Sequence, residues 1–390
     1  MRITYVCHAR FPTEKAYGKQ IAEVCTACSA LGHEVELLCP SVRNNVHESA
    51  AAFYGLPDTF SVRYLHHFDP TAHWWVLGML WFRLTMFFYR KSLRTFLQEH
   101  RPDLLYVRSP FLLRTLMRTG LPVIVELHDL PRFRKKRFIQ NCQFAARVVC
   151  LTRPMQEELL SWGMPAEKMI VEGDGVDLHR FENLPSPQTI RTQWDLPAHV
   201  PIVGYMGSLV TRRNIEKGIP ELIDAFALLK ERGVKVFGWI VGGPSLWIRR
   251  YRKYAQSQGL TGGELRFTDR IAAANVAGAL SVCSVLVYPA PDSQHPYFQR
   301  DTSPLKLFEY LAADKPVICA DIPPIRDAVD EQSVLFCEPG NAESLAGAIT
   351  RALAGKEQTG QRERRAELAL WYSWENRMRR ILSSVSPEAQ

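Results

Sequence analysis

Short apolar segments alternate with helical stretches along this chain, and the alternation begins a second time near its middle. The apolar runs of the first half are 1–6, 33–38, 104–107, 123–125 and 147–151. A polar, proline-containing stretch at 184–201 ends this series, and runs at 202–207, 236–241, 285–288 and 316–320 follow. Strands separated by enough chain for a crossover helix pair in parallel. The sequence therefore predicts an α/β fold with two Rossmann-like, doubly wound parallel-sheet domains.

The predicted domains are residues 1–190 and 191–370, followed by a helical tail at 371–390 that packs back on the N-terminal domain. Open parallel sheets bind ligands beyond the carboxyl ends of their strands. We expect the two domains to face a central cleft that holds the active site.

Composition and cysteine usage narrow the class of protein. A chain with 46% hydrophobic and 23% charged residues is typical of packed domains and excludes a disordered or fibrous one. Nine cysteines and a start that resembles a strand more than a secretory leader favour a reducing, cytoplasmic location. The Cys25-x-x-Cys28 pair lies at helical spacing with apolar residues, so core packing is expected over zinc binding.

The segment from Asp301 to Ile318 carries the most specific chemistry. Ser303-Pro304 is predicted to begin a helix whose free amide groups and positive end suit a diphosphate, and Lys306 adds a cation. Glu309 lies less than two turns further along that helix. This segment resembles the donor-site signature of glycosyltransferase family 4, whose members have the GT-B fold. The resemblance implies that the N-terminal domain binds the acceptor and the C-terminal domain binds the nucleotide-sugar donor.

The resemblance assigns roles to these residues. It places Ser303, Leu305 and Lys306 at the donor diphosphate, and Glu309 at the ribose hydroxyls as the second acid of the family's E-x7-E pattern. The first acid falls on Asp301, a shorter carboxylate than the family's Glu. Its expected contact is with the hydroxyls of the donor sugar.

A second resemblance lies in Gly204-Tyr205-Met206-Gly207-Ser208, followed by Lys217-Gly218. In the family, a Lys before Gly and an upstream Arg bind the donor diphosphate. Lys217 matches the first, whereas Ser208 stands where the Arg is usual, so Arg212 or Arg213 is expected to substitute. Cations there would stabilise the charge that grows on a leaving diphosphate.

The N-terminal half offers a candidate for the catalytic centre. His128 follows the apolar run Val123–Val125, which places it beyond the carboxyl end of a strand, and Arg108 follows another strand. By resemblance to the family, His128 lies beside the donor sugar near the reacting carbon. Lys15 and Gly18 match the family's glycine-containing loop after the first strand, where Gly permits close approach of a phosphate or acceptor.

Other motifs are absent from the sequence. No two Asp residues stand two apart, so the D-x-D pattern that holds a divalent metal in the other large glycosyltransferase fold is missing. There is no Walker loop and no complete G-x-G-x-x-G after a strand. We therefore expect no metal and no cofactor beyond the nucleotide-sugar co-substrate.

A basic, aromatic region predicts a peripheral membrane contact. Between Arg83 and Arg147 there are 14 Lys and Arg against four acids, an excess of ten in a chain whose net charge is +8. Residues 73–97 combine aromatic and arginine faces at helical spacing, and 132–138 form a polybasic run. Core packing and a solvated face are the alternatives for these two segments. Nucleic-acid binding is not expected, because no recognition module accompanies the charge.

The resemblance to the family implies a retaining hexosyltransferase that uses a nucleotide diphosphate sugar, and the missing D-x-D pattern predicts that it is metal-independent. Its expected acceptor is a lipid-linked or other glycan of the cell envelope, and its expected location is the cytoplasm, at the inner face of the plasma membrane. A catalytically idle GT-B protein that binds nucleotide or membrane, and a nucleotide-sugar epimerase, remain as alternatives.

Overall fold

The chain forms two compact units in a computed structural model that describes residues 1–68, 78–211, 214–355 and 360–385, with the side chains of 78–82 outside the description. The first unit is Met1–Asp174 together with Trp374–Gln390, and the second is Gly175–Ser373. The divisions after Asp174 and Ser373 differ from the divisions after 190 and 370 that the sequence suggested.

Packing explains both differences. Ile190 is 2% exposed and belongs to the hydrophobic core of the second unit, so the segment that enters this unit begins before the polar stretch ends. At the other end, the helix Trp374–Ser383 packs against the helix Ala16–Ala30 of the first unit.

The described part of the first unit is built on a parallel sheet with the strand order β3-β2-β1-β4-β5-β6-β7. Its strands are β1 (Arg2–Val6), β2 (Glu34–Pro40), β3 (Ser61–Leu65), β4 (Leu104–Val107), β5 (Val123–Leu127), β6 (Arg147–Cys150) and β7 (Met169–Val171). Its helices are α1 (Ala16–Ala30), α2 (Ala50–Tyr54), α3 (Gly78–Glu99), α4 (Pro110–Leu116), α5 (Lys135–Cys142) and α6 (Arg153–Ser161). The C-terminal helix described above completes this unit.

The second unit has a parallel sheet with the order β12-β11-β8-β13-β14-β15 and a short antiparallel pair, β9 with β10. Its strands are β8 (Ile202–Met206), β9 (Val210–Thr211), β10 (Ile215–Glu216), β11 (Phe237–Val241), β12 (Leu265–Thr268), β13 (Val285–Tyr288), β14 (Val317–Ala320) and β15 (Leu335–Cys337). Its helices are α7 (Pro187–Gln193), α8 (Ile219–Glu231), α9 (Ser245–Ser257), α10 (Ala273–Ser281), α11 (Leu305–Ala312), α12 (Pro323–Arg326), α13 (Ala342–Leu353) and α14 (Gln361–Trp371); the helix Trp374–Ser383 is α15.

Both sheets have the strand order of a Rossmann fold, so the predicted fold class is confirmed. Each central strand is covered on both faces, and β5, β8 and β11 are buried at every residue. All nine cysteines are free and buried, including Cys25 and Cys28 on α1, which confirms their place in the core.

Candidate functional site

Lys306 lies on the first turn of α11, beside the carboxyl ends of two neighbouring strands of the second sheet. Its Nζ donates a hydrogen bond to the Tyr205 hydroxyl of β8 at 3.0 Å. The same nitrogen lies 4.3 Å from the ring centroid of Tyr205 and 4.2 Å from that of Tyr288, the last residue of β13. Burial, together with the positive charge of nearby Lys217, lowers the pKa of Lys306 well below its usual value.

The backbone beside Lys217 is positioned by the glycine that follows it. Gly218 has a φ of +76°, and a Cβ there would lie 2.6 Å from the backbone nitrogen of Ala290, just after β13. Only glycine permits this conformation and this approach without a clash. The Lys217 Nζ lies 5.4 Å from the ring centroid of Tyr297. The Lys-Gly pair thus packs against the loop that leaves the carboxyl end of a central strand.

The start of α11 provides the second part of the predicted diphosphate site. Pro304 precedes Leu305, the first helical residue, and no side chain caps this helix end. The positive end of the helix and Lys306 therefore favour an anion at the same place. Ser303 and Glu309 are partly exposed on this segment, as donor contacts require. Their roles toward a donor stay predictions.

Two residues that depart from the family pattern already have partners within the chain. Asp301 ends a π-helical turn, Tyr297–Asp301, and its carboxylate accepts a hydrogen bond from Nε of Arg300 at 2.6 Å. The Ser208 hydroxyl donates to the carbonyl of Val210. The expected substitutes, Arg212 and Arg213, lie outside the described residues.

His128 follows β5 directly and is 12% exposed at its side chain. Its Nε2 lies 2.6 Å from Oε1 of Glu126, a carboxylate within β5 that is fully buried. Burial first, and then the charge of Arg108, lower the pKa of His128, and the bond to Glu126 opposes them only in part. The imidazole is therefore neutral at neutral pH.

The Glu126 carboxylate is charged despite its burial. Burial alone would raise its pKa, but Arg377 and the hydrogen bonds from His128 and Tyr106 hold it below the usual range. Arg377 is a fully buried residue of α15 whose Nη2 lies 2.7 Å from Oε2 of Glu126. The guanidinium also donates through Nε to the carbonyl of Gly173.

Lys15 and Gly18, which the sequence suggested for one loop, lie at the start of α1 in different environments. Lys15 is exposed at the N-terminal end of α1. Gly18 is buried, and a Cβ there would lie 2.1 Å from the Tyr54 hydroxyl and 2.6 Å from Cγ2 of Thr13. The group that approaches Gly18 closely is thus a side chain of this protein. The contact of Lys15 and Gly18 with a phosphate or acceptor stays a prediction.

Glu126, His128 and Asp174 place their ligand atoms within 4.8 Å of one another, in a geometry that is wide enough for a metal ion. The donor set argues against one, because the Glu126 oxygens already accept from Arg377, Tyr106, Gln20 and His128. A cation at that position would also face the charge of Arg377. The arrangement fits a hydrogen-bond network better than a metal centre.

A cavity of about 590 Å³ in the second unit lies away from these residues. Its lining includes Ser284 and Pro316, which directly precede β13 and β14, so it opens at the amino ends of these strands. None of the predicted site residues that the structure describes lines it. Donor binding is expected at the opposite edge of the sheet.

The sequence reasoning missed two groups of residues. One is the set of tyrosines around the two lysines, and the other is the set around Glu126, namely Gln20, Tyr106 and Arg377. A signal for the second group was present, because Glu126 interrupts an otherwise apolar strand. A buried carboxylate in a central strand needs partners.

The two units define the class of protein. Two Rossmann-type parallel sheets, with a lysine site at the carboxyl edge of the second one, are the features of a GT-B glycosyltransferase. The chain covers 98% of its length in alignment with 97% of a glycosyltransferase from Rickettsia africae, with a TM-score of 0.76 and 16% identity. It also aligns with the Anabaena protein HepE in complex with UDP and glucose, with a TM-score of 0.71, 18% identity and 99% coverage of both chains.

Sequence comparison gives the family. A model described as Glycosyltransferase Family 4 matches residues 18–180, and one described as Glycosyl transferases group 1 matches residues 200–355. The chain is similar to a GDP-mannose-dependent alpha-(1-6)-phosphatidylinositol dimannoside mannosyltransferase of Mycobacterium tuberculosis. The two are 27% identical over an alignment of 392 positions, which covers 95% of this chain and 93% of that protein. The chain is therefore a glycosyltransferase of the family 4 type, as its donor-site segment predicted.

Proposed function

We propose that the chain is a retaining hexosyltransferase that moves a sugar from a nucleotide diphosphate to an acceptor hydroxyl without a metal ion. The observation that carries the proposal is the pair Lys306 and Lys217. These two cations lie at the carboxyl edge of the second sheet, and among the described residues neither is paired with a carboxylate. A donor diphosphate supplies the negative charge that such a pair lacks.

The reaction breaks the bond between the anomeric carbon of the sugar and the diphosphate oxygen, and forms a bond from that carbon to the acceptor oxygen. Lys306, Lys217 and the N-terminus of α11 stabilise the charge that develops on the leaving diphosphate. The acceptor proton passes to the departing phosphate oxygen, so no separate general base is needed. Retention is expected from membership of the family.

The relatives suggest which donors to test first. The mycobacterial relative is named as GDP-mannose-dependent, and HepE was solved with UDP and glucose. We propose GDP-mannose as the first donor to test, because the mycobacterial relative has the higher sequence identity. UDP-glucose is the second.

A glycolipid or other cell-envelope glycan is the proposed acceptor class. The mycobacterial relative acts on a phosphatidylinositol dimannoside, and a second relative, from Bacillus subtilis, is named as a putative teichuronic acid biosynthesis glycosyltransferase. We place the reaction in the cytoplasm, at the inner face of the plasma membrane. Among the described residues, no helix is long and apolar enough to cross a bilayer.

The exposed residues of 132–138 are the proposed membrane contact. Residues 132–137 are exposed, and Phe133 is 82% exposed among the five Arg and Lys residues of this run. The structure describes only part of the aromatic and arginine faces that the sequence predicted for residues 73–97. Residues 73–77 and the side chains of 78–82 lie outside the described residues, and from residue 85 onward α3 buries Met86, Tyr89 and Leu93 in the core.

Vesicle binding tests this contact. The wild type is expected to sediment with phosphatidylglycerol vesicles and not with neutral phosphatidylcholine vesicles, and binding should weaken with salt. Phe133→Ser combined with Lys136→Ser should weaken it at least about tenfold, because both an anchor and a cation are lost. Equal binding by this variant would contradict the membrane contact at 132–138.

Calorimetric binding of UDP, GDP and ADP, with a chelator present, tests the donor site. Base-selective binding is expected for the wild type, and Glu309→Ala should weaken it about tenfold or more because the ribose hydroxyls lose a charged acceptor. Glu231→Ala is the control, since Glu231 is an exposed acid near the end of α8. Strict dependence on a divalent metal would refute metal-independent binding.

Turnover with a bound donor tests the catalytic role of His128. His128→Ala is expected to reduce kcat for GDP-mannose much more than nucleotide affinity, because the residue is proposed to lie at the reacting carbon and not at the nucleotide. Unchanged transfer rates in both His128→Ala and Glu309→Ala would refute the proposed site.

A catalytically idle protein is the second candidate, and the departures at Asp301 and Ser208 favour it. Both side chains have partners within the chain at positions where the family binds donor. An idle protein would bind nucleotide without releasing it from a donor sugar. An epimerase would change the sugar without any acceptor. Nucleotide release that depends on added acceptor separates the transferase from both.

A further inference from the structure

Glu126 collects hydrogen bonds from side chains of three other elements and from the residue that follows its own strand. Its Oε1 accepts from Nε2 of Gln20 on α1 at 2.6 Å and lies 2.6 Å from Nε2 of His128. Its Oε2 accepts from Nη2 of Arg377 on α15 at 2.7 Å and from the Tyr106 hydroxyl on β4. The carboxylate is fully buried, so these groups set its chemistry and solvent does not.

Arg377 keeps this carboxylate ionised, which fixes the direction of every bond it makes. A guanidinium has donors only and stays charged in proteins. An ionised carboxylate has acceptors only. Each partner of Glu126 must therefore donate, and the imidazole partner can do so only if its proton is on Nε2.

A second arginine fixes the orientation of Gln20, which donates to the same Glu126 oxygen as His128. Nη1 of Arg108 donates to Oε1 of Gln20 at 3.0 Å, so the amide group of Gln20 must point its nitrogen toward Glu126. The network therefore has an arginine at each end, Arg377 and Arg108, and neither guanidinium can accept a hydrogen bond. Among the described residues that face the imidazole, the charged groups are Arg108, Glu126 and Asp174, with Arg377 behind Glu126.

From these contacts we infer that Glu126 and Arg377 are positioning residues that hold His128 as the neutral Nε2–H tautomer, so that Nδ1 presents a lone pair to a substrate hydroxyl. Burial beside Arg108 keeps a single proton on the ring, and this proton lies in the hydrogen bond that Nε2 donates to Glu126. His128 therefore serves as a hydrogen-bond acceptor toward a sugar. The substrate contact rests on the proposed transferase function, whereas the position of the proton does not.

The wild-type protein provides the first test, without any substrate. With the histidines labelled by ¹⁵N, the resonances of His128 are assigned by their loss in His128→Asn. At pH 7.5 we expect the shift of a protonated nitrogen for Nε2 and of an unprotonated nitrogen for Nδ1. A ring protonated at Nδ1, or at both nitrogens, would overturn the inference.

Glu126→Gln is expected to invert the tautomer. The new amide nitrogen cannot face Arg377, which has no acceptor, so it takes the Oε1 position. Gln20 is held by Arg108 and cannot reverse, whereas the imidazole can move its proton to Nδ1 and accept at Nε2. We expect this variant to keep its affinity for GDP within about twofold and to lose about 10- to 100-fold in kcat with GDP-mannose. Retention of the Nε2–H tautomer in this variant would overturn the inference.

Two further variants separate positioning from stability. Arg377→Lys keeps a charged donor beside Glu126 and is expected to keep the wild-type tautomer, even if it unfolds at lower urea concentration. Arg380→Met is the matched control, since it breaks an arginine-carboxylate pair on the same helix, with Glu172, and leaves Glu126 untouched. It should keep both the tautomer and kcat. Loss of the tautomer in Arg377→Lys would count against the role of Arg377.

These measurements also distinguish the inference from the proposed function. A wild type with the expected tautomer but no sugar transfer would refute the transferase and leave the proton placement intact. A wild type that transfers sugar with the opposite tautomer would refute only the inference.

Discussion

The two units surround a charged side chain in opposite ways. In the first unit, the carboxylate of Glu126 is fully buried and is matched by the equally buried guanidinium of Arg377 at 2.7 Å. In the second unit, the ammonium of Lys306 has a tyrosine hydroxyl and two aromatic rings as its partners, and the nearby charge of Lys217 has the same sign. The charge of Glu126 is thus matched within the chain, whereas we propose that an anionic ligand matches the charge of Lys306.

Removal of Arg377 should have the largest effect of all. Arg377→Met leaves Glu126 buried without its counter-charge, and the expected loss in the free energy of unfolding at pH 7 is about 3 to 5 kcal/mol. Lys306→Met removes a charge that has no carboxylate partner, so it should leave the free energy of unfolding unchanged or raise it. Urea unfolding of both variants checks the contrast. Equal losses in the free energy of unfolding would contradict the contrast between the two charges.

Nucleotide affinity should respond in the reverse order. Lys306→Met is expected to raise the Kd for GDP or UDP about 10- to 100-fold, because a charge-assisted bond to the diphosphate is worth about 1.5 to 3 kcal/mol. Arg377→Lys should change that Kd by less than about twofold. Calorimetry at fixed salt measures both. A Kd of Lys306→Met within threefold of the wild type would remove Lys306 from the diphosphate site.

Acid should reduce the penalty of Arg377→Met. In the wild type, the pKa of Glu126 is lowered by folding, so its contribution to stability is present above its unfolded pKa and is lost as pH falls through the folded one. In the variant, burial without Arg377 raises that pKa above the unfolded value, and protonation then favours the folded state. The difference in unfolding free energy should shrink from pH 7 to pH 4 by at most about 1.4 kcal/mol per pH unit. A constant difference would contradict this account.

The smallest expected effect is proton uptake on nucleotide binding. The lowered pKa of Lys306 means that part of this group is unprotonated at alkaline pH, and a bound diphosphate raises the pKa again. Affinity for GDP should therefore fall as pH rises, by less than tenfold per unit, and binding near pH 8.5 should take up a fraction of a proton. Calorimetry in two buffers of different ionisation enthalpy measures the uptake. Lys306→Met should abolish it.

Much of the fold could be predicted from the pattern of apolar runs. The central strands of both sheets lie where these runs predicted them, because a parallel strand covered on both faces needs a continuous apolar sequence. Edge strands escaped prediction. Most of β3 is exposed or half-exposed, and β7 and β15 have three residues each, so neither leaves an apolar run.

A sequence motif can single out candidate site residues where they are contiguous in the chain. Lys217 and Gly218 are neighbours in sequence, and Ser303 to Glu309 form a single short segment, so a motif can reveal them. Arg377 is 251 residues from Glu126, and only folding brings the two together. No local pattern distinguishes this arginine from Arg379 and Arg380 on the same helix, which are exposed and half-buried.

The sequence by itself determined the two-domain α/β class and the glycosyltransferase type, and it singled out the two lysines that we propose for the donor site, because periodicity and short motifs are properties of neighbouring residues. The tertiary structure alone decided which charges are matched. It buries Arg377 against Glu126, sets Lys306 among tyrosines, and gives the space beside Gly18 to Tyr54. Pairing and desolvation depend on what lies within a few ångströms in space, and chain order does not specify that.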